Sequence, residues 1–415
     1  MNLKIFIIIM TTSGVMSDAI LIPFYPQFFE LRFGTDSAMH VGAYVAAISI
    51  AVMSALPFWA RIARRIELLH LLIWTQLSAG TFGLLSNWAP NVTWYWMLSM
   101  LMFICKSSYL LMYPYLMRLT LKKNHAQVIG TLSVVVHFGA VCGAVVGGSV
   151  LQIWGPTASI MAMVAGDFFQ MTVCAHLIHS SKIVRFKSQQ DSDGTETISP
   201  LFKLDAWRVH LPILRLALVM LIFDFGCFVI RPFFSTHWQA LTGYESELTS
   251  GVVFAIPGAM AITALCVHTW AHKRFGRLPD HRLGNLLLGI AGFLLQAAPN
   301  PTLVVVGRCV YGWAIFHIIV KLEVNLFRLS TPERYARDYA VTNFFQNLGT
   351  LLASFAAGAI VDSFGLYMPF LVGALAFVLT AVLDRLILKV PSAGHIDGAD
   401  HPAPTTELEA CVRVR

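Results

Sequence analysis

The chain has 415 residues, of which 57% are hydrophobic and only 12% are charged, and its mean hydropathy is +0.68. Soluble domains carry about 25% charged residues, so this composition excludes a soluble protein and predicts that most of the chain faces lipid. The 29 Lys and Arg exceed the 22 Asp and Glu and give a net charge of +7. The positions of these bases decide whether they form a nucleic-acid surface.

Twelve apolar runs are long enough to cross a bilayer as helices, which takes about 20 residues each. The predicted spans, numbered 1 to 12, are roughly 4–29, 40–60, 68–88, 94–118, 126–151, 156–179, 211–236, 248–270, 283–299, 301–327, 337–361 and 366–389. We expect the first run to be a span and not a cleaved signal peptide, because it is long and contains Asp18.

Polar segments divide the chain into two bundles of six spans. We expect the bundles at 1–180 and 211–390, with a cytoplasmic linker at 181–210 and a disordered tail at 391–415. Six of the seven cysteines lie inside apolar runs and no C-x-x-C pair occurs, so neither a metal site nor a disulfide framework is predicted. No phosphate loop or nucleophile motif occurs either, and we expect no enzyme.

The bases fall in alternate loops. They follow spans 2, 4, 6, 8 and 10 as Arg61, Arg64, Arg65; Arg118, Lys122, Lys123; Lys182, Arg185, Lys187, Lys203, Arg208; Lys273, Arg274, Arg277, Arg282; and Arg328, Arg334, Arg337. The loops after spans 3, 5, 7, 9 and 11 contain no Lys or Arg, and the loop after span 1 contains only Arg32. This positive-inside pattern predicts cytoplasmic termini and accounts for the net charge without a nucleic-acid partner.

The two halves repeat each other. Three glycines in or just after span 5 match three in or just after span 11 at a constant offset of 210 residues. The pairs are Gly139 with Gly349, Gly148 with Gly358, and Gly155 with Gly365. Lys106-x-x-Tyr109 in span 4 is echoed by Arg308-x-x-Tyr311 in span 10, and Pro26 and Pro232 each lie eight residues after an aspartate. Such a duplication is typical of secondary transporters, whose sites lie between the halves near the membrane midplane.

The chain resembles the major facilitator superfamily, and within it the twelve-helix drug/proton antiporter branch. The resemblance is carried by the span 5 glycines, which match G-x-x-x-G-P-x-x-G-G except at Ala144. The span 4 motif R-x-x-Q-G is degenerate, with Lys106 and Tyr109 in place of Arg and Gln, whereas Arg308 and Gly312 are kept in span 10. The resemblance implies an all-α fold of two pseudo-symmetric six-helix bundles, a monomer, and no cofactor other than the proton gradient.

Charged groups at membrane depth are costly and are therefore candidates for function. Lys106 and Arg308 come from opposite halves and would give a central cavity a positive field, which favours an anionic substrate. With Tyr109, Tyr311 and Arg231 they form the predicted substrate site. The alternatives are that the two cations pair with intramembrane acids as structural ion pairs, and that Arg231 extends to the outer interface.

Asp18 and Asp224 lie mid-span in spans 1 and 7, which resemble the cavity-lining pair of the family. A carboxylate there can exchange protons, so both are predicted proton-coupling residues, with a fixed counter-ion role as the alternative. Asp167 in span 6 is predicted to be structural. In the antiporter branch the face formed by Gly139, Gly143, Gly147 and Gly148 seals span 5 against span 8, and we expect Pro257 and Gly258 to accommodate it. Pro23 and Pro26 are predicted to kink span 1, and Pro232 is predicted to kink span 7.

Together these features predict a proton-coupled exporter in the bacterial inner membrane that carries a small anionic molecule, such as a carboxylate siderophore, through the bilayer. Two other transport functions stay open, a multidrug exporter of lipophilic compounds and a proton-coupled importer of organic acids. A transporter-like sensor that moves nothing is a further alternative. The substrate, the direction and the proton stoichiometry are not determined by the sequence.

Overall fold

The structure is a computed structural model that describes residues 3–35, 37–63, 65–112, 125–181, 211–275, 282–330 and 335–387. The predicted linker beyond residue 181 and the predicted tail lie outside the described residues. Many of the bases that predicted the orientation also lie outside them.

Every predicted span corresponds to a helix, and we number the helices α1 to α12 after the spans. Two of them are split: α1 into Leu3–Ala19 and Tyr25–Phe33, and α7 into Leu211–Phe228 and Phe234–Thr242. The two helices α5 and α6 together form His125–Ser181 and meet at Gly155. The others are α2 Ala38–Ile62, α3 Leu68–Asn87, α4 Val92–Lys106, α8 Glu247–Phe275, α9 Arg282–Ala297, α10 Pro301–Leu329, α11 Tyr335–Phe364 and α12 Met368–Ile387.

The described residues contain no β-strand, so the predicted all-α fold class is confirmed. Eight helical segments among them are long and apolar enough to cross a membrane, and one of these, 138–179, runs through both α5 and α6. Apolar side chains such as Trp74 and Leu375 lie on the outer surface of the bundle, more than half exposed, where lipid would cover them. The chain is a multi-pass membrane protein.

The breaks in α1 and α7 come from proline. Each break is a 3-10 turn, Ile22–Phe24 in α1 and Arg231–Phe233 in α7, and each has a proline as its second residue. The helical pieces that follow are 209 residues apart, and both end at a glycine with φ 64°, Gly34 and Gly243. The structure therefore matches Pro232 with Pro23, and not with Pro26 as the eight-residue spacing predicted. Pro26 stands at the start of the second piece of α1, where a missing N–H costs nothing.

The repeat predicted from the glycines holds in three dimensions. Gly155 and Gly365 adopt φ values of 78° and 88°, a left-handed conformation that favours glycine, and they turn α5 into α6 and α11 into α12. The remaining two pairs also make equivalent contacts. Gly139 packs on α1 and Gly349 on α7, whereas Gly148 packs on α8 and Gly358 on α2.

The two halves meet where α5 packs on α8 and where α11 packs on α2. The named contacts of these pairs lie towards one end of the bundle, which holds the connections α1–α2, α5–α6, α7–α8 and α11–α12. We call it the loop end, and the opposite end, where α1 begins, the terminus end.

Candidate functional site

A buried lysine in the first half gathers two carboxylates. The Lys106 ammonium lies 3.0 Å from Asp18 Oδ1 and 2.9 Å from Asp167 Oδ1, and it donates to Ser17 Oγ at 2.8 Å. The ammonium therefore has one hydrogen-bond acceptor, the Ser17 hydroxyl, and two carboxylates as ion-pair partners. The Ser17 hydroxyl in turn donates to the backbone carbonyl of Met163 on α6 at 2.9 Å. The cluster thus ties α4 to α1 and α6.

The cluster contains more acid than base. Two carboxylates face one ammonium, so one negative charge is left over when all three groups are ionised. The side chains of Lys106 and Asp167 are 2% and 0% exposed, whereas that of Asp18 is 28% exposed. An uncompensated charge is costly in a buried site, and protonation of one carboxylate removes it. Asp18 is the one member of the cluster whose side chain is partly exposed.

Small residues bring the three helices close enough to share one ammonium. A Cβ on Gly166, next to Asp167, would lie 2.7 Å from the Cβ of Ser17, so glycine is what allows α6 to approach α1 beside the aspartates. The Tyr109 hydroxyl then donates to Asp18 Oδ2 at 2.6 Å. The sequence predicted Lys106, Tyr109 and Asp18 as site residues, and the structure brings these three together.

Arg308, the counterpart of Lys106, has different partners. Its Nε donates to the carbonyl of Val253 at 3.3 Å, and its two Nη atoms donate to Gln296 Oε1 at 3.4 Å and to the carbonyl of Phe254. The guanidinium carbon lies 4.2 Å from the ring centroid of Phe234. Within the described residues Arg308 forms no ion pair with a carboxylate.

The carbonyls that Arg308 binds lie on the turn of α8 that precedes Pro257. Pro257 lies inside that helix and has no N–H, so the carbonyl of Val253, four residues earlier, lacks its helical donor. Arg308 supplies a donor in its place. This buried arginine, only 5% exposed, therefore completes the backbone hydrogen bonding of α8 and is not directed towards an open cavity in this state.

The acids and cations of the second half are arranged separately. Asp224 on α7 is within hydrogen-bonding range of Gln346 on α11, and its charged neighbours are Arg231 and Glu323. The Arg231 guanidinium carbon lies 3.7 Å from the ring centroid of Phe228. The two predicted proton-coupling acids, Asp18 and Asp224, thus have separate sets of partners.

Tyr311, predicted at the substrate site, lies in the core of the second half. It is 5% exposed and packs against Phe293, with ring centroids 4.8 Å apart. Its hydroxyl faces the Cys227 thiol. Because the equivalent pieces of α1 and α7 are 209 residues apart, Cys227 is the counterpart of Asp18, and the Tyr311–Cys227 contact occupies the position of the Tyr109–Asp18 hydrogen bond.

The glycine face of α5 packs differently from the expectation. Added Cβ atoms at Gly139, Gly143 and Gly147 would all meet α1; at Gly143, for example, the Cβ would lie 2.5 Å from the Met16 carbonyl oxygen. The contact with α8 belongs to Ala144, Gly148 and Gln152, which follow the same spacing one residue further on, about 100° around the helix. A single row of residues can face only one neighbouring helix, and these two rows serve two neighbours. Pro257 was expected to accommodate the glycine face, but it packs on Gly312 of α10.

Polar bonds join the halves at the loop end. The two N–H groups of Gln27 Nε2 are shared among three acceptors, Ser235 Oγ at 3.1 Å, Thr236 Oγ1 at 3.3 Å and Gln239 Oε1 at 3.0 Å. On the α5–α8 side, Gln152 Oε1 accepts from Ser246 Oγ at 2.9 Å and from the Leu248 N–H at 3.0 Å. We call these bonds the loop-end clasp. It closes this end of the molecule between the halves.

Comparison with known proteins agrees with this architecture. The family model of the Major Facilitator Superfamily matches residues 7–280 and 216–413. The chain belongs to the Major Facilitator Superfamily. It is therefore a transporter, as the sequence predicted. The broken α1 and α7 and the duplicated six-helix halves described above are the major facilitator fold in this chain.

Individual members of the superfamily align over nearly the whole chain. A multidrug resistance protein, MdtG of Klebsiella pneumoniae, is 21% identical over 389 residues, which cover 90% of each chain. The multi-drug resistance efflux pump PmrA of Streptococcus pneumoniae is 21% identical over 392 residues, covering 90% of this chain and 94% of its own. The crystal structure of a bacterial homologue of the human lysosomal transporter Spinster, inward-facing and unoccupied, superposes with a TM-score of 0.71 at 14% identity, covering 93% of this chain and 97% of that one.

Lys106 pairs with intramembrane acids, as the alternative interpretation of the sequence predicted, and Asp167, which was predicted to be structural, is one of them. The sequence did not show which acids Lys106 would pair with. The position of Asp167 directly after Gly166 was a usable signal, since a small residue beside an intramembrane acid marks a close helix approach. Ser17 and the glutamines of the loop-end clasp carry no charge and follow no motif, so nothing in the sequence distinguished them.

Proposed function

We propose that this transporter is a proton-coupled exporter that works by alternating access. The observation that carries the proposal is the cluster of Asp18 and Asp167 around Lys106. Protonation of Asp18 would weaken its ion pair with Lys106, and the ion pair and the hydrogen bond from Tyr109 hold α1 to α4. A proton taken from one side of the membrane could thus change the packing of α1 against its neighbours, and transport needs that change.

The proposed orientation has both termini and the linker in the cytoplasm of a bacterial inner membrane. It is supported by the alternation of Lys and Arg between the loops. In this orientation the loop end faces outwards, and the loop-end clasp would close the outer side in the state described here. Export then requires that the clasp opens while the terminus end closes. We propose that a monomer is sufficient and that no cofactor other than the proton gradient is needed.

The charges favour uncharged or cationic lipophilic substrates. Lys106 is matched by two carboxylates, and Arg308 is used to bind backbone carbonyls, so neither gives a cavity a free positive field in this state. The names of the relatives MdtG and PmrA, a multidrug resistance protein and a multi-drug efflux pump, point the same way.

An anionic, carboxylate-bearing substrate such as a siderophore is the second candidate. Its specific support is Arg231, which is half-buried beside the break in α7 and has a ring, Phe228, against one face of its guanidinium. Such a substrate would also have to compete with Asp18 and Asp167 for Lys106. The same contacts would allow uptake of an organic acid, so direction must be measured together with substrate class.

Transport in proteoliposomes tests both parts of the proposal. We expect an imposed pH gradient to drive movement of ethidium, a lipophilic cation, and a protonophore to abolish it, whereas radiolabelled citrate should not move. Asp18→Asn should remove the gradient dependence. Asp362→Asn, at an exposed position near the end of α11, is the matched control and should transport like the wild type. Citrate movement without ethidium movement would favour the second candidate, and ethidium movement indifferent to the gradient would contradict proton coupling.

A further inference from the structure

Asp167 is the most deeply buried member of the lysine cluster and is held by charge alone. Its Oδ1 forms an ion pair with Lys106 at 2.9 Å, but neither of its carboxylate oxygens has a hydrogen-bond partner among the described residues. A fully buried carboxylate oxygen without a donor is costly as an ion, and protonation converts it to a hydroxyl that needs an acceptor instead.

Such an acceptor lies one turn away on the same helix. Gln170 is 1% exposed, and neither its amide nitrogen nor its amide oxygen has a hydrogen-bond partner among the described residues. Positions i and i+3 share one face of a helix, so Gln170 and Asp167 point to the same side of α6. The amide fits there because α1 has a glycine opposite: a Cβ at Gly14 would overlap Gln170 Nε2 and would lie 3.4 Å from the Tyr109 ring.

A glutamine can serve a carboxyl group in both of its protonation states. Its N–H₂ donates to an ionised carboxylate, and its C=O accepts from a protonated one. A fixed counter-ion to Lys106 would need only the first of these, and it would be expected to have both oxygens bonded. An unpartnered, fully buried amide next to an unpartnered carboxylate oxygen therefore fits a group that changes its protonation state.

We propose that Asp167 is a second proton-carrying residue, which holds the transported proton inside the sealed cluster, and that Gln170 positions it. This inference rests on the proposed function, because it adds an inner proton site to the outer one at Asp18. The charged and titratable groups that face Asp167 are Lys106 on α4 and Asp18 on α1, with the Tyr109 hydroxyl bonded to Asp18 behind them.

The proton passes between the aspartates through the ammonium. Lys106 first gives one of its protons to Asp167 Oδ1, and the lone pair this leaves on Nζ then takes the proton of protonated Asp18. One O–H bond and one N–H bond break, and one N–H bond and one O–H bond form, so Lys106 is charged again and the net charge is unchanged. The two transfers span the 3.0 Å and 2.9 Å contacts already present, and a rotation of the Asp167 carboxyl then presents the new hydroxyl to Gln170.

Infrared difference spectroscopy of the purified full-length protein tests this without a known substrate. When the pH is stepped, the C=O stretch of each protonated carboxyl group appears as a separate band. We expect one band to be lost in Asp167→Asn, to persist in Asp362→Asn, and to change position in Gln170→Leu. A Gln170→Glu variant, which can also donate and accept, should leave the Asp167 band closer to its wild-type position than Gln170→Leu does.

Proton flux separates this inference from the proposed function. Ethidium-driven proton movement into wild-type proteoliposomes establishes coupling, and its absence there would contradict the proposed function itself. If the wild type couples, we expect Asp167→Asn to bind ethidium and exchange it between the two sides but to move no protons. If Asp167→Asn retains wild-type proton movement and its infrared spectrum loses no carboxyl band, Asp167 is a fixed counter-ion and the inference is wrong. Monodispersity and helical content, compared with the wild type, show that the variant is folded.

Discussion

The hydrogen bond from Arg308 to the turn of α8 before Pro257 can be tested quantitatively. Arg308→Met keeps a long apolar side chain but removes the donors to the carbonyl of Val253, which Pro257 has already deprived of its helical partner. A buried acceptor left without a donor costs about 1–3 kcal/mol. Pro257→Ala restores an N–H to the helix at that point, so the carbonyl no longer depends on Arg308. We therefore expect the double variant to be more stable, by about 1–3 kcal/mol, than the sum of the two single effects predicts. The reason is that Arg308→Met costs less once the Val253 carbonyl has its helical donor again.

The assay is a double-mutant cycle on unfolding in mild detergent, followed by tryptophan fluorescence at increasing denaturant. Tyr311→Phe, one turn further along α10, is the matched control, because its hydroxyl faces Cys227 on α7. Combined with Pro257→Ala it should give additive effects, within about 0.5 kcal/mol. Additivity between Arg308→Met and Pro257→Ala would refute the capping role. A loss of citrate transport in Arg308→Met without such coupling would restore the substrate-binding role that the sequence predicted.

The closed loop end makes two further predictions. A Cβ at Gly148 would overlap the Glu247 carbonyl oxygen, so Gly148→Ala should hold the loop end open. The distance between spin labels at the exposed positions Thr93 and Tyr244, measured by electron paramagnetic resonance, should then be longer than in the wild type. Gln27→Leu removes the two N–H donors of Gln27 from the loop-end clasp and should shift the same distance in the same direction, since each such hydrogen bond contributes about 1 kcal/mol. Unchanged distances in either variant would mean that this contact does not hold the end closed.

The fold was predictable because its signals are repeated along the chain. Twelve apolar runs, basic loops at alternate positions and glycines at a constant offset each identify the same two six-helix halves, so an error in one signal is corrected by the others. Gly155 and Gly365 illustrate this, since they match in sequence and both adopt a positive φ. The alignment of α1 with α7 rested on a single proline spacing, which paired Pro232 with Pro26. In the structure Pro232 is equivalent to Pro23.

The site was predictable only as a set of charged residues in the membrane. Sequence spacing identified Lys106 and Arg308 as counterparts, but it could not give their partners, because partners come from other helices whose rotation is set by packing. A glycine or an alanine at one position sets that rotation. Gly166 allows α1 to approach α6 beside the lysine cluster, and the side of α5 that carries Ala144 packs on α8. Such contacts are formed by the absence of side chains and carry no chemical signal of their own.

The comparison of Tyr109 with Tyr311 suggests how the duplicated halves came to differ. Each tyrosine faces the counterpart residue on the first helix of its half, an aspartate at position 18 and a cysteine at position 227. Where the partner is Asp18, the cation one turn earlier is neutralised by carboxylates. Where it is Cys227, no carboxylate is supplied from that position, and Arg308 binds carbonyls of the turn of α8 that precedes Pro257. The proposed proton exchange therefore has a carboxylate at this position in the first half, and in the second half the equivalent cation supports α8 instead.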